Sequence, residues 1–330
     1  MEAVDCTALP TRLSYVRMRN VEQVCSAIKS MKVRGAPLIG VVGAYGLVLA
    51  ARRIRTSDPN EASRQLRRRA DALIQTRPTG VNLRRAVERV FKASSRATST
   101  ASLEEELHRE ADLIFREELD AAHRIGSYGA SLIEDDDTIL THCNAGTLAT
   151  AGYGTALAVV RGAVEQGKRV SVIATETRPL LQGSRLTAFE LAQDKIPVKI
   201  ICDSAAAQLM ARGAVDKVVV GADRVLRTGH VANKIGTLPI ALAAKFYGVP
   251  FYVAAPVSTL DLETDPSQVV IEERDPREVL YLGRRRVTPR NVDALNPAFD
   301  ITPPELVACI VTDKGLVGQP LEENLRSKFG

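Results

Sequence analysis

The sequence predicts an α/β protein in two parts: a mainly helical N-terminal domain over residues 1–125 and a parallel-sheet α/β domain over residues 126–330. Three observations carry this. From Asn20 to about Ala130 apolar residues recur at three- and four-residue spacing, the period of an amphipathic helix. From about Asp135 short apolar, β-branched runs alternate with helix-length segments, the pattern of βαβ units on a parallel sheet. A chain of 330 residues with 45% hydrophobic content buries a large core and divides naturally in two.

In the first part the helical spacing runs over Val21 to Met31, Leu38 to Ala51 and Leu103 to Leu132. Lys32-Val33-Arg34-Gly35-Ala36-Pro37 joins the first two helical stretches, and Thr76-Arg77-Pro78-Thr79-Gly80 is a proline-marked turn. The small polar run Ala93 to Thr100 predicts a loop ahead of a long acidic helix that begins near Ser102 and leads into the second part. There the expected strands are Thr138 to His142, Arg169 to Ala174, Val198 to Cys202, Val218 to Val220, Phe251 to Ala254 and Cys309 to Val311. Their hydrophobicity is continuous rather than alternating, as expected of strands covered on both faces.

Composition excludes several classes of function. Five cysteines with no C-x-x-C pair suggest neither a disulfide framework nor a zinc site, and fit a reducing cytosol. The start Met1 to Cys6 lacks a secretory signal, and no apolar run is long enough to span a bilayer. Net charge is +5, but the basic residues cluster in Arg52 to Arg55 and Arg67 to Arg69, read as solvated helical faces. With 4% aromatic residues and no tryptophan, nucleic-acid binding is not expected, and the charge favours an anionic small molecule. His108 and His123 on helical sequence, His142 on a strand and His230 in a turn form no metal constellation. No metal is predicted.

In open α/β sheets ligands bind beyond the carboxyl ends of the strands, and here those ends hold the unusual chemistry. In order they deliver Cys143-Asn144, Glu176 to Pro179, Asp203-Ser204, Asp223-Arg224 and Ala255-Pro256. The small residues after Cys143, from Asn144 to Ala156, suggest a helix start lying close to a bound anion. They do not spell the dinucleotide fingerprint, because the glycines fall at 146, 152 and 154. Such a helix start would favour the Cys143 thiolate, whereas apolar packing would oppose it, and the sequence leaves that balance open. Taken singly, Cys143 is a small buried hydrophobe as readily as a reactive thiol, and Asp223 is as readily the N-cap of a following helix. Asp203 is read as an N-cap, and His142, pointing away from Cys143 along a strand, as core. Arg34 and Arg77 each sit on a rigid loop and suit a phosphate, although a surface arginine is the commoner fate of either. Val231 to Gly236 either contributes Asn233 and Lys234 to sugar or phosphate binding or only starts a helix.

Taken together, Arg34 to Pro37 (RGAP), Thr141 to Ala156 (THCNAGTLATAGYGTA), Glu176 to Arg185 (ETRPLLQGSR), Gly221 to Arg224 (GADR), Val231 to Gly236 (VANKIG), Phe251 to Pro256 (FYVAAP) and Asn296 to Pro303 (NPAFDITP) resemble the methylthioribose-1-phosphate isomerases. The resemblance runs over nearly the whole chain. It implies a helical domain followed by a Rossmann-like domain, a cytoplasmic homodimer, a sugar phosphate substrate, no cofactor and a place in methionine salvage. The implied reaction turns 5-methylthioribose 1-phosphate into 5-methylthioribulose 1-phosphate. Ribose-1,5-bisphosphate isomerases and non-catalytic regulatory subunits of the translation-initiation nucleotide-exchange factor share the fold and are the alternatives.

Position by position, the resemblance makes Asp223 the proton donor and Cys143 a proton carrier or transition-state stabiliser. Arg34, Gly35, Ala36, Arg77, Gln182, Asn233 and Lys234 correspond to substrate contacts. A ring locked by its anomeric phosphate cannot open like a free sugar, so protonation of its ring oxygen is a natural task for a carboxylic acid, which burial could keep neutral. The chain departs from the family pattern at Ala145 and Thr147, where Thr and Ala are usual, and in a shorter N-terminal segment.

Overall fold

The computed structural model describes residues 1–97 and 99–330; Thr98, inside the expected loop over 93–100, lies outside the described residues. The chain forms two compact units, one of Met1–His123 with Gly146–Gly154 and one of Arg124–Ala145 with Thr155–Gly330.

The first unit opens with a short antiparallel pair, Glu2–Val4 with Tyr15–Arg17. Helices α1 (Val21–Lys29), α2 (Ala36–Ala51), α3 (Pro59–Ile74), α4 (Val81–Ala93) and α5 (Thr100–Ala130) follow, the last running on into the second unit. Local chemistry explains where they begin. The Asn20 side chain accepts the Gln23 N–H at 2.8 Å at the start of α1, and Asp58 accepts the Asn60 N–H at 2.9 Å with Pro59 at the first helical position of α3. Helix α2 is buried almost all round, so it is the core element on which α3 and α4 lay their apolar stripes through Leu66, Leu73, Leu83 and Val87. Arg67 of α3 pairs with Asp71 and Glu88, and Arg69 with Glu22. The other basic run is not helical as expected: α2 ends at Ala51, and Arg52 to Arg55 occupy the turn beyond it.

The second unit is built on a seven-stranded sheet: β1 (Thr138–Thr141), β2 (Ser171–Thr175), β3 (Val198–Ile201), β4 (Lys217–Val220), β5 (Phe251–Ala254), β6 (Cys309–Thr312) and β7 (Gly315–Gly318). The spatial order is β3-β2-β1-β4-β5-β6-β7, with all neighbours parallel except β6 and β7. Alternate residues of one strand enter different cores: Leu140 and Val218 pack on one face, Ile139 and Val219 on the other. Covering both faces is what makes these strands read as unbroken apolar runs. Helices α6 (Ala156–Glu165), α7 (Ala188–Gln193), α8 (Ala206–Ala211) and α9 (Thr237–Tyr247) connect or cover them. Chain growth from β1 first adds β2 and β3 on one side, then returns to place β4 on the other. The order therefore reverses between β1 and β4.

A second, four-stranded sheet was not apparent in the sequence. It orders Leu260–Asp261, Arg224–Leu226, Val231–Lys234 and Phe299–Thr302. No helix follows Asp223; the strand Arg224–Leu226 does, which removes the N-cap reading of that aspartate. Among the described residues no helix is long and apolar enough to cross a membrane.

In the small sheet Asp300 pairs in register with Asn233, and its carboxylate accepts the N–H groups of Gly236 at 2.8 Å and Leu238 at 3.1 Å. It thus caps α9, whose own N-cap, Gly236, has no side chain to do so. Burial pushes the Asp300 carboxyl up to about 6 despite the downward pull of those N–H groups. A carboxyl raised on folding binds more protons folded than unfolded between roughly pH 4 and 6, so its stabilising contribution is full below about pH 4 and is lost as pH rises through about 6. Asp300→Asn removes that loss. Compared with the parent chain, the variant should gain on the order of 1 kcal/mol between about pH 4 and about pH 7, read from urea midpoints. Parallel pH profiles for the two proteins would show that Asp300 does not titrate in this way.

Candidate active site

The end of β1 carries the cysteine. His142 turns inward and is almost fully buried. Its Nε2 lies 2.8 Å from the Ile235 carbonyl oxygen and its Nδ1 2.6 Å from Thr175 Oγ1. Because a carbonyl only accepts, Nε2 carries the proton and Nδ1 accepts from the threonine hydroxyl. Burial also holds the imidazole pKa below its usual value, so His142 is a neutral brace, as its strand position predicts.

Cys143, also buried, adopts φ 63°, in the left-handed region. Its N–H donates to Thr177 Oγ1 at 2.9 Å, and its carbonyl accepts from Thr187 Oγ1 at 2.6 Å. The expected helix start is not adjacent: a short turn at Thr147–Ala149 intervenes and α6 begins only at Ala156. A helix dipole directly behind the thiol therefore drops out of the account. Gly146–Gly154 belongs to the other compact unit, where Tyr153 stacks on His123 at 4.2 Å.

The end of β4 approaches the end of β1 closely. A Cβ added at Gly221 would sit 2.7 Å from the Cβ of Ala145, so only glycine fits. Two residues on, half-buried Asp223 is fixed by its N–H, which donates to the Ala232 carbonyl at 3.0 Å. That bond ties it to the strand carrying Asn233 and Lys234, both buried. Asn233 Nδ2 donates to Thr237 Oγ1 at 3.0 Å. Arg224, next to Asp223, is anchored by Asp261 at 3.2 Å.

Lys234 connects the two strand ends electrically. Loss of water around its ammonium pulls its pKa below the usual lysine value; Cys143, Asp223 and Glu278 pull it back up, while Arg274 pushes it further down. Arg274 and Glu278 were invisible in the sequence. They form a close pair, Nε to Oε2 at 2.9 Å, braced by Asn296 Nδ2, which donates to Glu278 Oε2 at 3.0 Å. An i, i+4 ion pair in irregular sequence gives no signal of a site, and only the fold brings it to Lys234.

Beyond β3, Asp203 is not the helix cap expected. Its two carboxylate oxygens each accept a backbone N–H, from Thr177 and Arg178, both at 2.7 Å, and so brace the Glu176 to Pro179 loop. Gln182, farther along that loop, is buried, and its Oε1 has no hydrogen-bond partner. An unsatisfied buried carbonyl is a feature that a ligand hydroxyl would satisfy.

In the helical unit, Arg34 is buried and Gly35 begins α2 at φ 99°, where an added Cβ would lie 2.4 Å from the Ala149 carbonyl oxygen. Ala36 is the first residue of α2, with Pro37 behind it. Half-buried Arg77 places Nη1 3.4 Å from Met31 Sδ, so the two arginine-bearing loops meet within this unit. Thr177 and Thr187, which hold Cys143, and Glu190, which holds Asn144, were not singled out in the sequence. The run Leu186-Thr187-Ala188-Phe189-Glu190 directly continues the quoted motif ending at Arg185, and reading it onward would have found the last two. Among the described residues no group of three or more His, Cys, Asp or Glu is placed to hold a metal ion.

A thiol and a carboxyl thus follow the carboxyl ends of two neighbouring parallel strands, and a buried ammonium on the small sheet is coupled to both, a set suited to moving protons on an anionic molecule. Residues 32–319 match the initiation factor 2 subunit family. The methylthioribose-1-phosphate isomerase of Pelotomaculum thermopropionicum is 51% identical over 99% of this chain and 90% of its own. The crystal structure of 5-methylthioribose 1-phosphate isomerase from Pyrococcus horikoshii OT3 superposes with a TM-score of 0.90 at 40% identity, covering 99% of this chain and 92% of that one. A structure described as translation initiation factor eIF-2B, subunit delta, from A. fulgidus gives 0.87 at 47% identity, covering 98% and 96%. The chain belongs to the initiation factor 2 subunit family and, within it, to the methylthioribose-1-phosphate isomerases.

Proposed function

We propose that the protein is an aldose–ketose isomerase that converts 5-methylthioribose 1-phosphate to 5-methylthioribulose 1-phosphate in methionine salvage. What supports this reading is the position of Cys143 and Asp223 beyond the carboxyl ends of neighbouring strands β1 and β4, where strand order reverses, with Lys234 electrically coupled to both. In such sheets the crevice at the reversal is where a ligand fits. The sheet order β3-β2-β1-β4-β5-β6 is that of a Rossmann-like domain, and we read the second unit so.

Asp223 donates a proton to the ring oxygen as its bond to C1 breaks, which frees the C4 hydroxyl. The C2 hydrogen then moves to C1 and the C2 hydroxyl loses its proton to the carboxylate, so that the ketose forms and Asp223 is restored. Cys143 carries the C2 proton or stabilises the transition state of its transfer. Asn233 and Lys234 contact sugar hydroxyls or phosphate, Gln182 satisfies its buried carbonyl on a sugar hydroxyl, and Arg34, Gly35, Ala36 and Arg77 contribute further contacts. The reaction is an internal redistribution of hydrogen and calls for no redox cofactor. A non-catalytic regulatory subunit has no use for the thiol and carboxyl that the chain retains at 143 and 223. We place the enzyme in the cytoplasm as a homodimer, acting on a sugar phosphate without nucleic acid or membrane.

Purified protein given 5-methylthioribose 1-phosphate and no cofactor should yield the ketose, and no turnover at high enzyme concentration would refute the activity. Cys143→Ser and Asp223→Asn should each lower kcat by roughly a thousandfold with an unchanged far-UV circular dichroism spectrum. Near-normal turnover by either variant would show that its assigned role is wrong.

A further inference from the structure

We infer that Thr187 and Thr177 are positioning residues, a two-jawed clamp that holds Cys143 in a left-handed backbone conformation and thereby fixes where its sulfur points. The catalytic meaning of the clamp rests on the isomerase reading above. Cysteine at φ 63° is disfavoured by about 1 kcal/mol or more, and such a conformation persists only where its surroundings over-determine it. Glycine would adopt it without that penalty. A side chain kept here against the backbone's preference is one whose placement matters.

Each jaw grips one backbone polar group of Cys143 and is itself anchored. Thr177 Oγ1 accepts the Cys143 N–H at 2.9 Å, and its own N–H is held by Asp203 at 2.7 Å. Thr187 Oγ1 donates to the Cys143 carbonyl at 2.6 Å and also accepts Asn144 Nδ2 at 3.3 Å. Asn144 Nδ2 reaches Glu190 Oε1 at 2.9 Å, and Glu190 is paired with Arg161 at 3.0 Å. Both threonines are completely buried, so water cannot replace either hydroxyl. Thr187 closes a single π-helical turn, Gly183–Thr187, an uncommon geometry that recurs at functional sites.

The test is the pH dependence of Cys143 alkylation by iodoacetamide, followed on its own peptide by mass spectrometry, in the parent chain, Thr187→Val and Thr187→Ser. Valine keeps the shape and removes the hydroxyl. Releasing that jaw lets the sulfur drift from the Lys234 ammonium, so the alkylation midpoint should rise by roughly half a pH unit or more. Serine should restore it. Turnover should change in kcat by about tenfold with KM within about twofold. A Thr187→Val midpoint equal to that of the parent overturns the inference, as does a loss confined to KM. If Thr187→Val does not fold, Thr177→Val replaces it with the same expected shift. Alkylation needs no substrate, so failure to isomerise 5-methylthioribose 1-phosphate would refute the proposed function while the midpoint still decides the clamp.

Discussion

The reversal of strand order between β1 and β4 is the constraint from which the site follows. Where neighbouring parallel strands send their chains away to opposite sides, no connection covers the gap above them, and their two carboxyl ends stand open side by side. Cys143 follows one of these ends and Asp223 the other. Gly221 lets the two ends come as close as they do, because any side chain there would strike Ala145. The second sheet makes use of the same gap: its strand Val231–Lys234 is tied to Asp223 through the Ala232 carbonyl and brings Lys234 to both.

Burial is what gives these groups their chemistry. An ammonium withdrawn from water loses much of its preference for charge, and in this chain the thiol, the carboxyl and the Arg274–Glu278 pair decide how much it keeps. In the proposed reading, a dianionic phosphate arriving in such surroundings would meet a cation that water no longer screens. The neutral histidine beneath the site, the backbone amides held by Asp203 and the cap supplied by Asp300 are each fixed by short hydrogen bonds. They fix the loops and leave the reactive side chains to act.

Much of this was legible in the sequence because the parallel strands are buried on both faces and end abruptly in polar residues. The six expected strands lie within two residues of those observed, and Cys143 and Asp223 stand out at their ends. The second sheet was not legible: strands such as Arg224–Leu226 and Leu260–Asp261 are too short for period-two alternation to register, and they form through pairing with distant segments. The hydrogen-bonding partners of Asp203 and Asp300 were hidden for a related reason. A carboxylate that braces a neighbouring loop has no local signature, whereas an N-cap does, and sequence reasoning assigns it to the local role. The Thr187 hydroxyl and the Arg274–Glu278 pair likewise acquire meaning only from what the fold sets beside them.

The central claim is that Cys143 and Asp223 face one bound sugar phosphate. The most direct measurement is the alkylation rate of Cys143 in Asp223→Asn, chosen because its expected slow turnover leaves 5-methylthioribose 1-phosphate largely intact, with and without saturating substrate. Substrate should slow alkylation by at least roughly tenfold. An unchanged rate at saturation would contradict it, because the thiol would then lie outside the site that the substrate fills.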